Sequence, residues 1–142
     1  MYGAHYIAPN GYPTTEYFPK VWSSLPITYP DDSVASIHWG RAKEEQGKNR
    51  LPVGGTAPFN LVKDGYWGQY PVVPVQIPVK KFMVNDQWFD LKPGDGLQGV
   101  VLEYSEYKHS ESRVYVVTVQ RRPRIIPLKK YTPQASLFDL AV

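Results

Sequence analysis

The side chains able to do chemistry in this chain are few and scattered. His5, His38 and His109 stand far apart, and none has a second His, Asp or Glu at a spacing that would build a metal site. Each reads as an ordinary surface imidazole. Asp86, Asp90 and Asp95 surround the stretch WFDLKPGDG. A glycosidase would need two such carboxylates facing each other across a cleft, whereas Asp beside a Gly-containing turn more often hydrogen-bonds the turn itself. Ser105, Ser110 and Ser112 lie outside any G-x-S-x-G elbow, and the glycine pair of LPVGGTAP lacks the spacing of a phosphate-binding loop. The chain has no cysteine, which removes disulfides, thiolate ligands and thiol nucleophiles. The expectation is a protein that is not an enzyme and that takes no metal and no cofactor.

What stands out is charge and aromaticity. Net charge is +3, yet residues 1–120 carry eleven cations against twelve carboxylates, while residues 121–142 carry five against one. The excess is concentrated in RRPRIIPLKKY, where Arg121, Arg122, Arg124, Lys129 and Lys130 flank Ile125, Ile126 and Leu128. Such asymmetry suits an acidic or phosphate-bearing partner, although a solvated basic terminus would look the same. The apolar strip between the cations suits a protein surface at least as well as it suits phosphates.

The elements that must position these groups are mostly extended. Fourteen prolines disfavour long helices, because each removes a backbone donor and clashes with the preceding turn. Residues 1–30 hold five of them, interleaved with Tyr2, Tyr6, Tyr12, Tyr17, Phe18 and Trp22. This pattern predicts an extended N-terminal arm that needs a surface to lie on, either its own domain or a neighbouring subunit. Fixing each backbone residue costs ~1–2 kcal/mol, so an ordered arm must bury a large apolar footprint. Residues 31–48, DDSVASIHWGRAKEEQGK, read as the one short helix, capped by Asp31, Asp32 or Ser33, with residues 31–50 forming helix and linker.

A β-domain is expected over residues 51–131, followed by a tail at 132–142. FNLVK (59–63) reads as a strand, and PVVPVQIPVKKF (71–82) as an edge or irregular one, since proline cannot donate to a ladder. QWFDL (87–91) runs into the turn KPGDG. GVVLEYSEY (99–107) and RVYVVTVQR (113–121) form a hairpin around the five-residue loop KHSES. Val100, Leu102 and Tyr104 share one face of the first arm. Both faces of the second arm are apolar, which marks a central strand. A further short strand fits 124–128. The fold class is therefore mainly β, a small β-barrel or β-sandwich with one short helix and extended N- and C-terminal arms.

Two function classes follow. A small barrel with exposed rings such as Tyr104, Tyr107, Tyr115 and Tyr131 and a basic stripe could bind nucleic acid, as an OB- or SH3-like module or a ribonucleoprotein subunit. A ligand pocket lined by Trp67 and Trp88 is a further option. The favoured reading, to which nucleic-acid binding is the alternative, is a structural subunit of a large assembly. The arm MYGAHYIAPNGYPTTEYFPKVW, the lead-in LPVGGTAPFNLV and the hairpin from Gly99 to Gln120 give a plan that resembles phage capsid decoration (cement) proteins. The resemblance implies arms that clamp major capsid subunits, assembly as a homo-oligomer, trimers included, and a place on the virion surface, failing which the cytoplasm. Tyr2, Tyr6, Tyr12, Tyr17, Phe18 and Trp22 would then be docking anchors, and Arg121, Arg122, Arg124, Lys129 and Lys130 basic contacts. No apolar run approaches the roughly 20 residues of a membrane span, and the N-terminus lacks the pattern of a signal peptide; neither a membrane nor a leader is expected.

Overall fold

The computed structural model describes residues 1–20, 22–43, 45, 51–63, 71–106 and 109–128. Trp67, Tyr107, Lys129, Lys130, Tyr131 and the expected tail lie outside the described residues. Twelve strands and one short helix make up the described chain, which is mainly β.

Five strands close a barrel. They are β3 (Ser24–Thr28), β4 (Val34–Trp39), β6 (Val72–Ile77), β9 (Asp95–Glu106) and β10 (His109–Val119). Their order β10–β4–β3–β6–β9 returns to β10 through the antiparallel β9–β10 hairpin. All contacts around the ring are antiparallel except β10–β4, which is parallel at Arg113↔His38 and Val114↔Trp39. β5 (Thr56–Pro58) adds a second parallel partner to β10, and β11 (Arg122–Pro123) folds back antiparallel on it. β12 (Ile125–Pro127) pairs with the start of β9. The proline-bearing β6 is paired along its length with β9 but meets β3 only at Thr28↔Gln76. It forms the thin seam of the barrel, as its missing donor at Pro74 dictates.

A second sheet has the order β2–β1–β7–β8, from β1 (Tyr2–Ile7), β2 (Pro13–Phe18), β7 (Lys81–Val84) and β8 (Gln87–Asp90). Asn85 and Asp86, both at positive φ, link β7 to β8 in a two-residue turn whose twist matches that of the strands. One face of this sheet joins the barrel core. Ala4, Tyr6, Phe18 and Phe82 are buried with Leu25, Ile27, Trp39, Val75, Ile77, Leu97, Val101, Val114 and Val116. Aromatic contacts link the two parts, with Phe18 to Trp39 at 5.7 Å and Trp39 to Phe82 at 5.9 Å between ring centroids.

The N-terminal segment is extended, and the surface it lies on is its own domain. Tyr6 and Phe18, expected as docking anchors, are core residues, and Tyr2 packs on Phe82 at 6.1 Å. The barrel also draws β3 and β4 from ahead of residue 51, so residues 51–131 do not form a self-contained domain. The footprint that orders residues 1–30 is internal.

The expected helix at 31–48 is corrected as well. Val34–Trp39 is a strand whose side chains alternate: Ala35, Ile37 and Trp39 turn to the core, while Val34, Ser36 and His38 turn out. The residues read as a helix cap close a hairpin turn instead. Asp31 Oδ1 accepts bonds from Ser33 N at 2.9 Å and Ser33 Oγ at 2.5 Å, and Tyr29 N donates to Ser33 O. A short polar side chain satisfies turn amides by the same bond that caps a helix. These bonds to Ser33 hold the Asp31 carboxyl below its ordinary pKa.

The one helix among the described residues is α1 (Phe59–Lys63), where a strand was expected. It follows Pro58, and Val62 is buried in a second apolar cluster with Leu51, Ala57, Val100, Leu102, Tyr115 and Val117. That cluster covers the outer face of β10, while Val114 and Val116 face the barrel interior. β10 is thus central, as its two apolar faces predicted. The hairpin loop is shorter than KHSES suggests, because pairing runs out to Glu106↔His109. The turn at Lys92–Asp95 is as expected, with Asp95 N bonded to Lys92 O and Gly94 at positive φ.

Candidate binding surfaces

The residues singled out in the sequence separate into structural and exposed groups. Arg124 is structural. Its guanidinium lies 4.1 Å from the Phe59 ring centroid, and its Nη1 donates to Gln98 Oε1 at 2.6 Å. Burial lowers its pKa from the ordinary value, the direction expected when a cation loses water. Arg121 and Arg122 are exposed. Gln120 and Arg121, both at positive φ, make the tight turn between β10 and β11. The basic cluster therefore contributes two free-standing arginines among the described residues.

A buried ionic group that the sequence did not reveal surrounds Arg113. Its Nη1 donates to both carboxylate oxygens of Glu45, at 3.0 and 2.8 Å, and to Gly40 O at 2.9 Å. Its Nε and Nη2 both donate to Glu111. The arginine is almost fully buried and faces two carboxylates, so this group ties Gly40 and Glu45 to β10. Tyr115 is also fixed internally, through its hydroxyl to Pro52 O at 2.7 Å.

Two faces remain open. The first is the outside of the β3–β4 hairpin. Register places Ser24 opposite His38, Pro26 opposite Ser36, and Thr28 opposite Val34. None of these outward residues is Asp, Glu, Lys or Arg, and Val34 is 73% exposed. At one end stands Trp22, 74% exposed, its ring edge-on to His38 at 5.1 Å. Trp22 has φ of 72°, a conformation that L side chains rarely adopt. The next residue, Ser23, is buried, and its hydroxyl bonds to Tyr17 O and Lys20 O. A large ring beside this buried serine thus stands in solvent.

The second is the outside of the β2–β1–β7–β8 sheet. Two cross-strand rows lie there, Tyr17–Gly3–Met83–Trp88 and Thr15–His5–Lys81–Asp90. His5, Thr15, Tyr17, Lys81 and Trp88 line a cleft of about 310 Å³. A separate, mainly apolar cleft of about 370 Å³ lies between the β6–β7 and β8–β9 connections, around Pro78, Leu91, Pro93 and Leu128. Tyr12, the remaining expected anchor, is exposed in the β1–β2 turn.

Among the described residues no group of three His, Asp or Glu side chains could hold a metal ion. No described helix is long and apolar enough to cross a membrane. Comparison with protein-family models, curated proteins and solved structures gives no match.

Proposed function

We propose that this chain is a non-enzymatic structural subunit that clamps neighbouring subunits of a large assembly, in the manner of viral capsid decoration proteins. The observation that carries the reading is the uncharged β3–β4 face headed by Trp22. Interface centres are depleted of charge and rich in aromatic anchors, and a Trp lost from such a centre commonly costs ~2 kcal/mol or more of binding. The backbone next to the ring is already tied down through the Ser23 hydroxyl, which lowers the cost of ordering it on docking. The docking surface is thus a face of the domain itself, with Trp22 the expected anchor that stands beside it. A shell-forming subunit, or a second copy of the chain across a symmetry axis, is the partner class that an uncharged sheet face accommodates.

The test uses native particles from the source. The wild-type chain should co-purify with the shell at fixed stoichiometry, and Trp22→Ala or Val34→Asp should abolish retention without lowering Tm. Full retention of both variants would overturn the reading. The exposed pair Arg121 and Arg122 favours the second reading, nucleic-acid binding. Sub-micromolar binding to single-stranded or duplex nucleic acid with a steep salt slope, lost in Arg121→Ala/Arg122→Ala, would replace the first.

A further inference from the structure

The geometry points to a saccharide-binding site on the bare face of the β2–β1–β7–β8 sheet, with Trp88 and Tyr17 as stacking rings and Lys81, Asp90, His5 and Thr15 as hydroxyl partners. This site is distinct from the β3–β4 face and does not rest on the role proposed for it.

The ring pair is the first observation. Tyr17 and Trp88 lie on the two edge strands of a four-stranded sheet, so their backbones are roughly 14 Å apart at ~4.8 Å per strand. Their ring centroids nevertheless lie 6.3 Å apart at an interplanar angle of 72°. Both side chains lean inward over β1 and β7. Gly3 makes room for this, since a Cβ there would sit 3.0 Å from Trp88 Cη2 and 3.2 Å from Met83. Each of the two residues is 39% exposed. Neither ring belongs to the main core cluster, to which the opposite face of the same strands supplies Phe18, Phe82 and Phe89, although Met83 between them is buried.

Charge selects the ligand. In the adjacent row Lys81 Nζ is 3.6 Å from Asp90 Oδ1, and His5 Nδ1 is 2.8 Å from Thr15 Oγ1. Cation and anion balance, and both are well exposed. A phosphodiester strand would need unmatched cations beside the rings. A neutral sugar needs something different. Its hydroxyls take both donors and acceptors, which an ammonium, a carboxylate, an imidazole and a hydroxyl provide together. Its flat C–H face lies against an aromatic ring, the apolar body beside a polar edge that ligand sites commonly combine. The cleft of about 310 Å³ is open along the sheet, so the ligand is a neutral hexose unit, terminal or within a chain.

The full-length protein is titrated calorimetrically with maltohexaose, cellohexaose, chitohexaose and a mannose hexasaccharide, and with an oligothymidylate of similar length. At least one saccharide should bind. Trp88→Ala and Tyr17→Ala should each weaken it about tenfold or more, and Trp22→Ala should leave it unchanged. Gly3→Ala, which keeps both rings but displaces Trp88, should weaken it as well. If a ring variant lowers Tm, the exposed pair Lys81→Gln and Asp90→Asn provides the same reading without touching the rings. No saccharide binding in the whole panel would overturn the proposal, as would binding that survives Trp88→Ala in the folded protein. Oligothymidylate binding that is lost in Trp88→Ala would instead make the face a nucleic-acid site.

Discussion

β10 and the β2–β1–β7–β8 sheet are built from the same kinds of residue and meet opposite fates. On β10, Val114 and Val116 fill the barrel while Tyr115 and Val117 are covered by α1, β5 and Leu51. The four-stranded sheet gives Ala4, Tyr6, Phe18 and Phe82 to the core and leaves Tyr17, Trp88, His5 and Lys81 facing out. A strand covered on both faces stabilises the fold. A sheet covered on one face stabilises it with that face and leaves the other to solvent.

The sharpest way to break this contrast is to remove the sheet. Deleting residues 1–18 takes Ala4, Tyr6 and Phe18 out of the core and exposes one edge of β7. The remaining chain should lose its cooperative thermal transition by calorimetry. A folded remainder would show that the barrel stands without the sheet.

Next come substitutions on the two faces. Phe82→Ala, at a fully buried position, should cost ~3–5 kcal/mol in urea unfolding, and Trp88→Ala less than ~1 kcal/mol. Equal costs would mean that the bare face is structural. The two arginine environments make a parallel pair. Arg113→Ala removes the cation that Glu45 and Glu111 share and should cost ~3 kcal/mol, whereas Arg121→Ala should stay within ~0.5 kcal/mol.

The smallest effect concerns Glu16, half-buried on β2. Burial raises its carboxyl above the ordinary 4.5, outweighing the lowering by Lys20 and the Ser24 amide. A carboxyl whose folded pKa lies above its unfolded one favours folding in acid, and that contribution is lost as the pH rises through the folded value. Glu16→Gln should therefore be more stable than wild type at neutral pH. The gap should close as the pH falls through the raised value toward 4.5, measured by urea midpoints across pH.

Much of the architecture was legible because its signals are local. Apolar residues on both faces marked β10 as central, Pro93 and Gly94 marked the turn before β9, and Pro74 marked an irregular strand. The misread elements are short. VASIHW and FNLVK span fewer than two helical turns, and over that length an apolar stripe and a strand alternation look alike. Tertiary contact chose between them. Of the candidate sites, the aromatic residues were visible but their sides were not, and the Arg113 group joins residues too far apart for spacing to reveal.

The sequence by itself determined a β-rich, proline-punctuated chain with an extended aromatic N-terminus and a basic C-terminal stretch. Those properties follow from backbone restrictions and composition, which act residue by residue. Only the tertiary structure decided that Phe18 is sealed against Trp39 while Trp22, four positions on, stands in solvent, and that Arg124 stacks on Phe59 while Arg121 is free. The side of a sheet that is covered depends on elements distant in the chain, and no local preference carries that information.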